Sequence, residues 1–382
     1  MSTASQLPRG LSKLPAIKHY FRSLKDPRRR HRRLHRLLDM IVVAICAVLC
    51  GADDWQEVVT FGQGRLAWLK RFLALPNGIP SHDTFERVFA RLDPQAFQAC
   101  FRTWTAALCA RLEMPHIAID GKTLRHSGAG SLGPLHVVSA WATEAHLALG
   151  QEAVAGKSNE ITAIPRLLAL LDLEGALVTI DAMGCQTGIA EEIRIAGADY
   201  VLAVKENQPR LYEDIDRLAE AVLADDTEVA ACLQEGRGHG RQEARACWVL
   251  RDVDAIRDRG RWPDLRSVIV IVSERTVNGG STYERRYDLS SRKAGAKTFL
   301  EAIRGHWGIE NSLHWVLDVG FDEDRSRLGK DHGPENLALL RRLAVSVLKQ
   351  ANGGKGSIRG KRLTAGWDND FLERALLDFS VN

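Results

Sequence analysis

ALVTIDAMGCQTGIAEEIRIAGADYVLAVKE (residues 176–206) is the stretch on which the fold turns. ALVTID (176–181) is a short apolar run ending in an aspartate, TGIAEEIRIAGA (187–198) carries apolar residues at helical spacing, and DYVLAVKE (199–206) is apolar again. Runs of four to eight apolar residues bounded by turn residues read as buried strands, and the segment between them as a helix. Upstream, IAID (117–120) reads as a short buried strand, and LHVVSAWAT (135–143) and HLALGQEAVAG (146–156) as two strands joined tightly at Glu144 and Ala145. SNEITAIPRLLALLDLEG (158–175) follows as a helix that Ser158 can cap and Gly175 can end. The predicted order is β β β α β α β.

Helical patterns flank this core. Leu34 to Cys50, Trp55 to Leu73 and Thr84 to Leu92 predict an α-helical N-terminal domain over 1–112, in which Ser81 or Asp83 could cap a helix start after PNGIPSHD. After a helix at 208–224 come a glycine-rich turn, GRGHG (236–240), and three strand candidates, ARACWVL (244–250), SVIVIVS (267–273) and TYERRYDL (282–289). These predict a β-rich insertion over 208–290. Helical texture returns from KTFLEAIRGHW to PENLALLRRLAVSVLKQ (334–350), so the core is expected over 113–207 and 291–350. Residues 351–382 read as a flexible basic connector, GGKGSIRGKR (353–362), and a short helix around Asp370 to Leu377.

Composition narrows the class. A hydrophobic content of 45% over 382 residues is that of a globular chain with a sizeable core. Seven scattered cysteines without a C-x-x-C pair or a leader predict free thiols in a reducing compartment, hence a cytoplasmic protein. The run MIVVAICAVLC (40–50) is too short to span a bilayer and reads as a buried helix, so no membrane partner is expected. Net charge is only +4, but RRRHRRLHR (28–36) concentrates Arg28, Arg29, Arg30, Arg32 and Arg33, an electrostatic footprint for a phosphate backbone or, more blandly, a solvated helix start.

Two strands of the core end in an aspartate, Asp120 in IAIDGKTLRHS and Asp181 in VTIDAMGCQ. A carboxylate there either caps the following turn or meets a cation, because burying it unpaired is costly. If the two strands lie side by side and parallel, both carboxylates leave the same end of the sheet. Oxygen ligands of this kind suit two Mg²⁺ or Mn²⁺ ions working on a phosphodiester, and a third acidic group would complete the set. IRGHWGIENSLHWVLD (303–318) places His306, Glu310, His314 and Asp318 at four-residue intervals along one expected helix. Glu310 is the natural third carboxylate; zinc held by His306, Glu310 and His314, or a plain polar stripe, are the alternatives. Trp307 and Trp315, eight apart on one face, are more often core than stacking platforms, though a tryptophan at a DNA-processing surface can stack on an unpaired base, and their role stays open here. The acidic run Asp318, Asp322, Glu323 and Asp324 could supplement metal binding but reads more safely as a solvated turn paired with Arg325 and Arg327, and Cys185 reads as a small buried residue.

IAIDGKTLRHS, VTIDAMGCQ, YVLAVKENQ and HWGIENSLHWVLDVGFDEDRSR, with GIPSHDTFERVF upstream, resemble the DDE transposases of the ISAs1 insertion sequences, relatives of the IS4 group that include H-repeat-associated proteins. The resemblance implies an α/β chain with an RNase H-like catalytic core, a β-rich insertion and a helical N-terminal domain. It also implies Asp120, Asp181 and Glu310 as catalytic, metal-binding triad. The expected function is Mg²⁺-dependent cleavage and strand transfer at the terminal inverted repeats of an insertion sequence, by a dimer that synapses two element ends with target double-stranded DNA. A nuclease on the same fold and a domesticated DNA-binding protein are the alternatives. IS4 relatives carry tyrosine, arginine and lysine around the glutamate where Ile303, His306 and Leu317 stand here, so those roles do not carry over. Beyond the arginine block, Lys122, Arg125, Lys205, Asn207, Arg304, His306, Asn311 and His314 are the candidate DNA contacts, with salt bridging the alternative for Lys122 and Arg125, and packing or hydrogen bonding to the acidic cluster the alternative for His306, Asn311 and His314.

Overall fold

The computed structural model describes residues 15–109, 116–128, 133–154, 160–224, 232–238, 241–278, 280–351 and 355–378. Ser158, His239, Gly240 and the glycines at 353 and 354 lie outside the described residues. The strands are β1 (His116–Thr123), β2 (His136–Ala142), β3 (Leu147–Val154), β4 (Leu177–Ile180), β5 (Asp199–Val204), β6 (Cys232–Gly238), β7 (Arg241–Leu250), β8 (Ser267–Val277) and β9 (Gly280–Ser290). Helices Glu160–Leu168 and Thr187–Ile195 separate β3 from β4 and β4 from β5, so the core order matches the expected one. This is an α/β chain with an RNase H-like core.

The chain divides into two compact units. One comprises residues 114–120 and 158–309, the other 1–113, 121–157 and 310–382. Two of the crossings, Asp120–Gly121 and Ile309–Glu310, fall at residues of the expected triad.

In the first of these units, β1, β4 and β5 run parallel, and the sheet continues antiparallel through β9, β8, β7 and β6. The segment 208–290 therefore extends the core sheet, because Val201 of β5 pairs with Ser290 of β9, instead of standing apart as its own domain. It holds a fourth strand, β6, that the sequence did not announce: CLQEGRG lacks the β-branched residues that mark strands, and pairing with β7 supplies the order. β1 also runs three residues past its expected end at Asp120. Helix Ala296–His306 buries Phe299, Leu300 and Ile303 against Leu177, Val201, Ile269 and Ile271 of the sheet.

In the other unit, helix Leu37–Leu49 is buried on nearly every side, as its uniformly apolar sequence requires. It packs with helix Gly333–Gln350, as do helices His82–Arg91 and Pro94–Cys109. Asn336 donates to the carbonyls of Phe89 (2.8 Å) and Leu92 (2.9 Å), which ties these elements together. The N-terminal helices thus share one core with the late helix and the β2–β3 hairpin, and a boundary at residue 112 does not separate them. The expected connector is also corrected: Ile358–Trp367 is a helix capped by Ser357, whose Lys361 and Arg362 are buried. Arg362 donates to the Val48 and Ala52 carbonyls and pairs with Asp53 at 2.8 Å, which explains why a basic run is not solvated. No helix among the described residues is long and apolar enough to cross a membrane.

A buried ion network lies at the centre of this unit. Arg342 and Glu323, side chains 1% and 0% exposed, pair at 3.2 Å, and Arg342 also donates to Ser139 Oγ. Removing one partner of such a pair strands the other charge. Arg342→Met is expected to cost roughly 3–5 kcal/mol of stability, read as a lower urea midpoint at unchanged slope; an unmoved midpoint would show the pair to be energetically idle.

Candidate active site

The register of β1 and β4 fixes the first two acidic residues. Ile119 lies opposite Ile180, so the next residues, Asp120 and Asp181, leave adjacent parallel strands side by side. Both are partly exposed. Asp181 also caps the turn Ala182–Gly184: its Oδ1 accepts from the amides of Met183 (3.1 Å) and Gly184 (3.3 Å). The capping and ligand readings are therefore compatible, since one carboxylate oxygen is held by the backbone and the other is free to face outward. Gly184 is required where it stands, because a Cβ there would come within 2.2 Å of Ile180 Cγ2.

Beneath the aspartates runs a buried polar chain that the sequence pattern did not suggest. Thr179, two residues before Asp181, has its hydroxyl 2.8 Å from His116 Nε2 on β1 and 3.1 Å from His306 Nδ1 at the end of helix Ala296–His306. A hydroxyl can donate to one ring nitrogen while accepting from the other, so Thr179 can bridge the two imidazoles. Burial, reinforced by the neighbouring His306, pulls the His116 imidazole down to about 4. A Cβ on Gly305 would meet the His116 ring at 2.8 Å, so glycine there allows the close approach. A threonine inside the apolar run LVTI was the one available signal.

A cleft of about 530 Å³ opens beside Asp181, lined among others by Lys205, Asn207, Arg286, Asp288, His306 and Trp307. Lys205 is exposed, whereas Asn207 spends its amide on the Ala182 carbonyl at 2.7 Å and so buttresses the Asp181 turn. Burial pushes the Asp288 carboxyl up to about 7, against the pull of Arg286. Arg286 lies 5.0 Å over the Trp307 ring. Trp307 and Trp315 are 51% and 57% exposed, so of the two readings the core one does not hold. Arg304 is exposed and donates to Gln234.

Glu310 belongs to the other unit. The single helix expected over 303–318 is broken: helix Ala296–His306 ends, Glu310–His314 form a π turn, and Trp315–Phe321 resumes as α-helix. Such single π turns occur often at functional sites. Glu310 is exposed, and its Oε2 lies 3.1 Å from Nδ1 of the buried His314. That hydrogen bond, opposed by partial burial and helped by Lys122, holds the Glu310 carboxyl below its usual range. His314 is thereby a partner of Glu310 and not a surface DNA contact, and His306, buried on Thr179, is corrected in the same way. Asn311 is exposed.

Lys122 is likewise removed from the DNA contacts. Its ammonium, 9% exposed, lies 2.7 Å from Asp318, 2.8 Å from Asp324 and 3.6 Å from Glu323. Burial disfavours its charge, but these three carboxylates outweigh burial and raise its pKa. Asp318, Glu323 and Asp324 thus cage a buried lysine, whereas Asp322 is exposed and pairs with Arg325 at 3.7 Å, as expected of a solvated turn. Arg125 stays 74% exposed while pairing with Asp324 at 3.1 Å. In the N-terminal block, Arg29 and Arg30 are exposed, but Arg28 is 11% exposed and folded onto Asp26 (2.8 Å) and the His35 carbonyl. Arg33 donates to the Arg28 and Asp26 carbonyls. The side chain of Arg32 lies outside the described set. Cys185 is fully buried, and burial pushes its thiol far up.

Comparison with known proteins fits this geometry. The family described as "Transposase DDE domain" matches residues 111–347, and one described as "DDE_Tnp_1-associated" matches residues 18–105. "Putative transposase YncI" of Escherichia coli O157:H7 is 37% identical over 373 residues, covering 96% of each chain. "H repeat-associated putative transposase YhhI" of Escherichia coli strain K12 is 36% identical over 370 residues, covering 95% of this chain and 98% of its own. Among solved structures, a piggyBac transposase synaptic complex with hairpin DNA, determined by cryo-EM, aligns at a TM-score of 0.42 and 8% identity, covering 100% of this chain and 82% of that one.

The depressed His116 has a thermodynamic signature. Between pH 6.5 and about 4 the unfolded chain takes up a proton that folded His116 refuses, so stability falls as pH falls through that window. His116→Asn should flatten the dependence, by roughly 3 kcal/mol across the window at about 1.4 kcal/mol per pH unit. Urea unfolding at several pH values reads it, and parallel curves for the two proteins would refute the neutral imidazole.

Proposed function

The chain belongs to the transposase DDE domain family, and from that membership and the paired strand-end aspartates we propose that Asp120, Asp181 and Glu310 are the metal-holding catalytic triad of this insertion-sequence transposase. Members of this family are DNA-cleaving and DNA-joining enzymes. The observation that carries the triad is the β1–β4 register, in which Asp120 and Asp181 directly follow the paired Ile119 and Ile180 on neighbouring parallel strands. Two carboxylates leaving adjoining strand ends favour a cation between them.

A triad of Asp120, Asp181 and Glu310 offers carboxylate oxygen throughout and suits Mg²⁺ or Mn²⁺. Two such ions, when bound, supply charge stabilisation for the attacking and leaving oxygens of an in-line displacement. The protein's own part is positional. The Met183 and Gly184 amides aim the Asp181 carboxylate, and the His116–Thr179–His306 chain fixes the end of β4 behind it. His314 orients Glu310 and keeps it ionised. In the first reaction water attacks a phosphodiester at the element end and the P–O3′ bond breaks, freeing a 3′ hydroxyl. In the second that hydroxyl attacks a target phosphodiester and displaces the target strand's own 3′ oxygen. A dimer holds two element ends together, the N-terminal helices bind the terminal inverted repeats, and the work takes place on DNA in the bacterial cytoplasm.

The test is cleavage of a labelled element end in Mg²⁺. Asp120→Asn, Asp181→Asn and Glu310→Gln should each reduce cleavage by at least roughly a hundredfold, leave DNA binding in place, and match the effect of chelating the metal. Cleavage that survives all three substitutions would refute the triad.

A further inference from the structure

A second cleft, of about 580 Å³, lies among the N-terminal helices. One wall is the loop carrying Arg28, Arg29, Leu34 and His35; the other is helix His82–Arg91, which presents Thr84, Arg87 and Arg91. Four arginines and a histidine line it, and no aspartate or glutamate does. Arg29 and Arg91 are exposed and form no ion pair among the described residues. Arg87 is exposed too, and is steadied by donating to the Asp83 carbonyl and to Thr84 Oγ1.

Like charges four residues apart on a helix destabilise it; Asp83, one turn before Arg87, meets His82 at 3.3 Å and does not line the cleft. Opposite them the Arg28 guanidinium is fixed by both oxygens of Asp26, so the loop wall is rigid before any ligand arrives. Asp26 is itself held low, its partial burial outweighed by the hydrogen bonds and charge of Arg28 and by Arg33. Arg87 and Arg91 lie about 6 Å apart along the helix axis, a spacing that addresses two successive phosphates better than one. Leu34, 66% exposed at the same cleft, offers apolar contact to a sugar.

We propose that this cleft grips the sugar–phosphate backbone of one strand of duplex DNA, with Arg29, Arg87 and Arg91 making the phosphate contacts and Arg28 holding the wall. The proposal rests on the reading of the chain as an enzyme acting on DNA, and it shifts the N-terminal contact from the arginine block as a whole to a surface assembled from two distant segments. Contacts of this kind position DNA without reading its sequence.

The experiment measures affinity of the full chain for a mixed-sequence duplex across a salt series. Each phosphate contact contributes about 0.9 to the slope of log affinity against log salt. The double variant Arg87→Ala/Arg91→Ala is expected to lower that slope by about 1.8, Arg87→Lys/Arg91→Lys to keep it, and a control at Arg325→Ala, on the other side of the Asp322 turn, to leave it unchanged. A wild-type slope in the alanine variant removes the cleft while the wider reading stands. A slope lost equally in the lysine variant also overturns it, because the arginines would then act through the fold. A wild-type chain with no affinity for duplex DNA removes both readings.

Discussion

Two carboxylates that leave neighbouring parallel strands at the same level repel one another, and nothing in a parallel ladder lets them part. Asp120 and Asp181 are in this position because Ile119 and Ile180 are paired. The surrounding unit holds the Asp181 end in place. The Asp181 turn is nailed by two amides, by Asn207 from below and by a glycine that tolerates no side chain. In the sheet below, the buried chain His116–Thr179–His306 links β1, β4 and helix Ala296–His306. On the triad proposed above, a strand end held in this way would meet part of the cost of gathering the carboxylates before a cation binds.

The other unit handles charge by a different route. Lys122 follows Asp120 by two residues, yet it is buried among Asp318, Glu323 and Asp324, and Glu323 is shared with Arg342. The network joins the end of β1 to the helix and turn that follow Glu310 and to the long helix Gly333–Gln350, all within one unit. Buried charges of this kind add little net stability against apolar replacements, but they are intolerant of alternatives. What they fix here is the segment after the π turn. Glu310 at the start of that turn is thus set from one side by His314 and from the other by a helix whose own position is fixed by ions.

The strands and most helices were legible because their periodicity reports burial directly: LVTI and VLAV are apolar throughout and are buried in the sheet. The strand-end aspartates were legible for the opposite reason, as polar residues where packing gives no use for them. What escaped was whatever depends on partners distant in sequence. β6 has no strand pattern and exists through β7; the insertion looked separate because its attachment is a pairing of β5 with β9; the connector looked flexible because the carbonyls that bury Arg362 lie some three hundred residues earlier. The break in the helix over 303–318 was also invisible, since residues four apart look alike in an α-helix and beside a π turn.

The same reasoning governs how basic sequence should be weighed. RRRHRRLHR is the densest positive stretch in the chain, yet Arg28 and Arg33 are turned inward onto Asp26 and its neighbouring carbonyls. Arg341, Arg342 and Arg362 are buried, Arg194 and Arg257 are paired with aspartates, and Lys122 is caged. A guanidinium that has spent its donors inside the fold contributes little to a phosphate backbone, because contact would require those donors back. The electrostatic footprint of this chain is therefore set by the arginines left over after internal pairing, and around the N-terminal cleft those come from two segments more than fifty residues apart, Arg29 on the loop and Arg87 with Arg91 on the helix. Net charge and local charge density fail as predictors for one reason: they count a cation before the fold has decided whether it is free.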